Sequence, residues 1–253
     1  MSGIEVKTGG KRSGRSPQTA GRMARGMVTL ALAKGRLLDP TVSFLETLDL
    51  LPDTFSDIGR RLMLEDPDRG IRFLLLRASD VPTYVESGAA DLGIAGSDLL
   101  MEQMRAVYEP VDLGFGRCRL VLAGPVAAPP RQRSKLRVAT KYPNVTERYF
   151  SERGLQIEVV KLYGAIEIAP RVGVSDQIVD LSDTGETLRA NGLTILDEIA
   201  RCSARLIANR AALRLRHPIL RNLIEAIGSA AVAQAAHPAG QPSRPPRPSH
   251  PPH

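Results

Sequence analysis

The stretch Ile178-Val179-Asp180-Leu181-Ser182-Asp183-Thr184-Gly185-Glu186-Thr187-Leu188 passes from an apolar run into a cluster of acids, hydroxyls and one glycine. At the start of a helix such a cluster can cradle an anion. The first backbone N–H groups of a helix lack an intrahelical acceptor, and the helix end carries a partial positive charge. Gly185 would let the backbone approach a ligand closely, while Thr184 and Thr187 bring hydroxyl donors. Asp180, just upstream, is placed to accept hydrogen bonds from sugar hydroxyls. The same residues would also make a plain turn between a strand and a helix. Taken alone, the stretch leaves both readings open.

Four other polar clusters stand at the same kind of boundary: Lys34-Gly35-Arg36, Arg77-Ala78-Ser79-Asp80, Gly96-Ser97-Asp98 and Thr140-Lys141. Ligands of open α/β sheets bind at the carboxyl ends of the strands, so five such clusters would define one rim. Singly, each has a plain alternative. Lys34 with Arg36, and Arg60 with Arg61, can be solvated surface pairs; Arg77 can cap or pair locally with Ser79 and Asp80. Glu167 can be an exposed helix residue, and Lys141 reads as surface. A T-G-x-T after a strand suits the 5′-phosphate of a phosphoribosyl group, and the preceding Ile-Val-Asp strengthens that reading. No GxxxxGK[ST] pattern occurs, so P-loop ATP hydrolysis is not supported. No nucleophile elbow or Cys/His pair is present, and no histidine has ligand-spaced partners for a metal. The chemistry open to these residues is electrostatic: to hold phosphates and stabilise a departing anion.

The elements that must position these residues alternate along the chain. Continuous apolar runs at 28–33, 71–76, 91–96 and 118–124 read as strands buried on both faces, and the pattern restarts at 135–140, 157–162 and 177–181. Asp39 should cap the first helix with Pro40 in its first turn, and Ser97 or Asp98 should cap another. A helix from Pro143 should end at Gly154. The proline-rich run between 124 and 132 would separate the halves of a two-lobed α/β protein with a cleft between them.

Charge is concentrated at the ends. The net charge is +7, but residues 1–26 hold six basic side chains against Glu5, and Arg244 and Arg247 lie beyond 229. The middle is thus neutral, which argues against a nucleic-acid platform. Residues 1–26 read as a disordered basic tail and 229–253 as a disordered proline-rich tail. No apolar run approaches the ~20 residues of a membrane span, so no membrane partner and a cytoplasmic location are expected. Cys118 and Cys202 read as reduced core residues.

Five segments together resemble short-form ATP phosphoribosyltransferase: 30–39 (LALAKGRLLD), 77–100, 112–124, 138–144 (VATKYPN) and 161–193. In the last, Glu167, Gly173, Ser175, Ile178, Asp180, Thr184, Gly185 and Thr187 stand at the family's spacing, and the likeness spans roughly 27–215. It implies that N1 of ATP attacks C1′ of 5-phosphoribosyl 1-pyrophosphate (PRPP), with Mg²⁺ leaving on pyrophosphate, as the first step of histidine biosynthesis. It also implies a periplasmic-binding-protein-like (type II) fold with the second lobe, 118–201, inserted into the first, 27–117 plus 202–228. Lys34, Arg36 and Arg60 would face the pyrophosphate and ATP phosphates, and Arg77, Asp98 and Glu167 would line the ATP side. Asp183, Thr184, Gly185, Glu186, Thr187 and Leu188 would cradle the 5′-phosphate, and Asp180 would hold the ribose. Glu186 departs from the neutral or basic residue of many relatives, and fits only with its side chain turned outward. The short form implies a partner similar to histidyl-tRNA synthetase, in a hetero-octamer. A non-catalytic anion sensor of the same fold is the alternative; it would have no use for the 178–188 loop.

Overall fold

A computed structural model describes residues 27–55, 59–126, 135–215 and 217–236. The chain starts with β1 (Val28–Ala33), α1 (Leu38–Glu46), β2 (Met63–Asp66), β3 (Ile71–Leu76), α2 (Val81–Glu86), β4 (Leu92–Gly96), α3 (Ser97–Gln103) and β5 (Tyr108–Asp112). It continues with β6 (Cys118–Pro125), β7 (Leu136–Thr140), α4 (Pro143–Ser151), β8 (Ile157–Lys161), β9 (Gln177–Ser182), α5 (Glu186–Ala190) and β10 (Leu193–Cys202). It ends with β11 (Ala204–Ala208), α6 (Arg210–Leu215) and α7 (His217–Ala236).

These strands form two sheets, ordered β2-β3-β1-β4-β11-β5 and β10-β6-β9-β7-β8. In the first, β3, β1 and β4 are parallel, while β2 and β11 run antiparallel to their neighbours. β1 is buried at every position because helices cover both faces of the parallel centre, which is why its sequence is unbroken by polar residues apart from Thr29. In the second sheet β7 lies parallel to β8 and β9, and β6 pairs antiparallel with β9 and β10. Each sheet has its own core. Phe73, Leu30, Leu92 and Leu206 fill the first. Leu120, Val138, Phe150 and Val179 fill one face of the second, and Ala139, Ile166 and Ile178 the other.

Several boundaries differ from the sequence reading. The proline-rich run joins β6 to β7 of one sheet and so divides nothing; its residues from 127 onward lie outside the described residues. The chain changes sheets instead just before Cys118 and just after Cys202. Residues 229–236 are not a disordered tail but the last turns of α7, whose Leu220, Ile227 and Ala231 face the core. The alanine-rich segment there favours helix, and proline begins only at Pro238. The expected tails at 1–26 and 237–253 lie outside the described residues. α1 starts at Leu38, which puts Asp39 inside the first turn instead of at the cap. α3 follows Gly96 with no side-chain cap, since Ser97 and Asp98 are engaged elsewhere.

α2 lies so close to β4 that only glycine fits at position 93. A Cβ there would stand 2.7 Å from Val85 Cγ2 and 2.9 Å from Val81 Cγ1. Gly93→Ala should therefore destabilise the protein by about 1–3 kcal/mol through overpacking, measured by urea unfolding. An unchanged midpoint would show that the α2–β4 contact yields freely.

Candidate active site

All five polar clusters stand where a strand hands over to a helix: after β1, β3, β4, β7 and β9. Three come from the first sheet and two from the second, and four of them open onto one cleft of about 770 Å³ between the lobes. Its first wall holds Lys34, Arg36, Arg77, Ser79 and Asp98; its second holds Lys141, Tyr142, Lys161, Tyr163 and Leu181. Leu181 adjoins Asp180, the buried carboxylate of β9.

Arg36 is exposed, yet its guanidinium is anchored. Nη1 donates to Gly116 O at 3.0 Å and Nη2 to Cys118 Sγ at 3.5 Å. Cys118 sits directly opposite Cys202 in the β6–β10 register, and both are free and buried. Their reading as reduced core residues holds, but Cys118 also touches a candidate phosphate-binding residue. A hydrogen bond from the Cys202 thiol, aided by the Arg36 charge, lowers the Cys118 thiol to about 7 against the opposing effect of burial. The same pairing and burial push Cys202 upward, because a second thiolate beside the first is disfavoured.

Asp98 is buried and accepts a hydrogen bond from Tyr142 Oη at 2.8 Å. Burial, followed by the Asp98 carboxylate, raises the Tyr142 phenol, so it stays a donor. One turn further along α3, Glu102 accepts from the backbone N–H groups of Asn144 at 3.2 Å and Val145 at 3.1 Å. Asn144 Nδ2 donates back to Glu102 O at 2.9 Å. The N-terminus of α4 is thus filled by a carboxylate from the other lobe, and in this conformation it is not available to a phosphate. Leu99 and Met101 of α3 pack on the second lobe's core beside this latch.

The 183–188 stretch forms the turn into α5. Gly185 is the helix N-cap with φ +77°, a conformation that favours glycine, and a Cβ there would meet Arg189 Nη1 at 3.2 Å. Glu186 N donates to Thr184 Oγ1 at 3.4 Å, and Arg189 Nη1 donates to Thr184 O at 3.1 Å. Arg119 Nη2 donates to Asp183 O at 3.4 Å. Asp183, Thr184, Glu186 and Thr187 are exposed while Leu188 is buried as the anchor.

The predicted residues do not all meet. Lys34, Arg36, Arg77 and Asp98 share the cleft wall; Asp180 stands behind Leu181, and the 183–188 turn follows it at the end of β9. Arg60 lies in an exposed turn before β2 and does not line the cleft. Glu167, in the 3-10 turn Ile166–Ile168, is also outside the lining, although its charge acts on Asp180. Lys141, expected on the surface, lines the cleft and pairs with Asp180 at 3.1 Å. Tyr142 and Glu102 were missed: nothing in their local sequence marks a partner in the other lobe.

Fold and cleft define a two-lobed α/β protein whose ligand site is cationic and lies between the lobes. The family profile described as ATP phosphoribosyltransferase matches residues 77–229. The ATP phosphoribosyltransferase of Symbiobacterium thermophilum is 51% identical over 218 residues, covering 83% of this chain and 99% of that protein. That of Geobacter metallireducens is 48% identical over 204 residues, covering 79% and 96%. Among solved structures, the ATP phosphoribosyl transferase (HisG:HisZ) complex from Thermotoga maritima matches with TM-score 0.72 and 33% identity, over 82% of this chain and 100% of that one. The periplasmic aliphatic sulphonate binding protein SsuA from Escherichia coli matches at TM-score 0.54 over 84% and 75%, but its 14% identity speaks of the fold alone. The chain belongs to the ATP phosphoribosyltransferase family, pentosyltransferases of histidine biosynthesis. Among the described residues no helix is long and apolar enough to cross a membrane.

If the Cys202 thiol is what lowers its neighbour, Cys202→Ala should move Cys118 ionisation above pH 7. Thiolate ultraviolet absorbance, titrated in the protein and in both single-cysteine variants, measures this. An unshifted Cys118 curve would assign the effect to Arg36 alone.

Proposed function

We propose that the interlobe cleft binds ATP and PRPP side by side, and that Lys34 and Arg36 stabilise the pyrophosphate as it departs. The chain's family defines the reaction: N1 of ATP attacks C1′ of PRPP, the C1′–O bond to pyrophosphate breaks, and N1-(5-phosphoribosyl)-ATP forms. The observation that carries the assignment of roles is the cleft itself, with Lys34, Arg36 and Arg77 on one wall and Lys141 and Leu181 on the other, Leu181 leading from Asp180 to the α5 turn.

Positive charge developed at C1′ and negative charge on the leaving group set what the residues must do. Cations fixed near the pyrophosphate favour the transition state, where charge is more separated than in the ground state. Arg36 suits this because two of its nitrogens are already engaged, so little reorganisation is left for the reaction. Arg60 would join it by movement of its exposed turn. The α5 turn would hold the 5′-phosphate through Thr184, Gly185, Thr187 and the backbone N–H groups of the first helical turn. Asp183 and Glu186 would take part through the main chain, with their side chains directed to solvent. Asp180 would accept the ribose hydroxyls. Arg77, Asp98 and Glu167 would lie on the ATP side, Asp98 acting through Tyr142.

Mg²⁺ would enter on the pyrophosphate oxygens. This ion usually keeps several waters and is held largely through substrate phosphates, so it would arrive bound to PRPP. Among the described residues no group of three or more His, Cys, Asp or Glu side chains could hold a metal. A regulatory partner is supported by the likeness to a relative solved as a complex; it would be similar to histidyl-tRNA synthetase, and the assembly would be a hetero-octamer. The setting would be the cytoplasm.

The test combines protein, ATP, PRPP and Mg²⁺, with and without the partner subunit, and follows phosphoribosyl-ATP absorbance. Product should form in both, faster with partner; none with partner present would reject the proposal. Thr187→Ala should weaken PRPP by about 10–100-fold through the loss of one hydrogen bond to a charged group. Gly185→Val should weaken it through strain at positive φ and crowding of the turn. Both should leave ATP affinity within a few fold. Equal losses for both ligands would place the α5 turn outside the PRPP site.

A further inference from the structure

Asp180 is nearly enclosed in the second lobe. Its backbone is paired with Val121 of β6, an apolar position, and its side chain is only 11% exposed. Two donors reach one of its oxygens: Leu181 N at 2.8 Å and Lys141 Nζ at 3.1 Å, both on Oδ1. Among the described residues no donor reaches Oδ2. Lys141 comes from a different element, the turn between β7 and α4, and its ammonium also lies 5.4 Å from the centre of the Tyr142 ring. Its side chain is 39% exposed and lines the cleft. The lysine therefore has one firm partner, with its remaining protons toward solvent.

We propose that Lys141 is a positioning residue for Asp180: it fixes Oδ1 and leaves Oδ2 free as the oxygen that accepts the ribose hydroxyls. The proposal deepens the role of Asp180 given above and rests on it. The groups facing Asp180 show why a positioning cation is needed. Lys141 is the cation among them; Glu167 is a second carboxylate, and the Tyr142 phenol is neutral. Burial raises the Asp180 carboxyl above its ordinary value and Glu167 adds to this, whereas Lys141 and the Leu181 amide oppose it. Without the lysine, burial and Glu167 would act with only the amide against them. A protonated Asp180 would be a poorer acceptor, since hydrogen bonds to an ionised oxygen are roughly twice as strong as neutral ones.

The sign of the effect gives the test. Removing a cation that favours the charged form must move Asp180 ionisation to higher pH. The full chain, labelled with carbon-13 at aspartate side-chain carboxyls, is titrated by NMR, with Asp180→Asn identifying the signal. In Lys141→Gln the Asp180 midpoint should rise by about one unit or more, and in Lys141→Arg it should return toward the parent value. PRPP affinity, measured by calorimetry across the same pH range, should show its acidic limb displaced by the same amount. The Lys141→Gln defect should then shrink as pH rises past the new midpoint. A merely structural role would lower the melting temperature without moving this limb. A direct phosphate contact by Lys141 would give a defect of equal size at every pH.

An unmoved midpoint in Lys141→Gln that still melts cooperatively overturns the proposal. So does a PRPP defect that is flat with pH. Should Lys141→Gln fail to fold, Lys141→Met and the salt dependence of the parent midpoint provide the same comparison. A shifted midpoint with normal PRPP binding by Asp180→Asn would instead reject the ribose role of Asp180, leaving the ion pair intact.

Discussion

Strands β6 and β10 pair antiparallel from Cys118 opposite Cys202 to Pro125 opposite Leu193, and this ladder marks both the entry to the second lobe and the exit from it. Any ligand held between the lobes depends on it, because the two walls of the cleft are joined through its ends. Arg36 is tied to the same point through Gly116 O and Cys118 Sγ. A cation that belongs to the first sheet is thereby registered against the first residue of the second. Two bulges in β10 interrupt the register further along, but the Cys118–Cys202 end is continuous with Arg119–Arg201 and Leu120–Ala200.

Electrostatics around the cleft follow from which charges are already occupied. Asp98, Glu102 and Asp180 all stand near the rim, and all three accept internal hydrogen bonds: from Tyr142, from the α4 N-terminus, and from Lys141 with Leu181 N. Each carboxylate is thereby occupied within the protein, Asp180 by a cation. Lys34 and Arg77 line the space without a side-chain partner among the described residues. A neutral core can therefore present a cationic cleft, which suits two polyphosphate ligands that would otherwise repel each other. The α3–α4 contact adds a mechanical role, since Glu102 holds the second lobe through a helix terminus.

Most of the strands that could be read from the chain are buried on both faces; the edge strand β8 was legible too, because Ile157, Val159 and Val160 keep it apolar. β1, β3, β4, β6, β7 and β9 are unbroken or nearly unbroken apolar runs because each has packing above and below. β2, β5, β10 and the short buried β11 were not recognisable. Met63-Leu64-Glu65-Asp66 is a short edge strand, Tyr108-Glu109-Pro110-Val111-Asp112 carries a proline and two acids on another edge, and β10 is bulged and half-exposed. Edge strands tolerate such residues because one side makes no ladder. The end of α7 is not marked in the sequence, because an alanine-rich helix runs directly into the proline-rich segment without a glycine or proline between them.

For the site, the sequence determined the local chemistry: which residues follow each strand, that a glycine stands at 185 where the α5 turn needs positive φ, and the family spacing from Glu167 to Thr187. It could do so because these requirements are local, set by a few consecutive backbone angles and side-chain types. Only the tertiary structure decided which clusters share a wall, that Arg60 and Glu167 stand outside the cleft lining, and that Lys141 pairs with Asp180, 39 residues away in the chain. The same holds for Tyr142 on Asp98 and Glu102 on α4. Those pairings depend on the packing of one lobe against the other and of one strand beside the next, and no residue's neighbours in sequence record them.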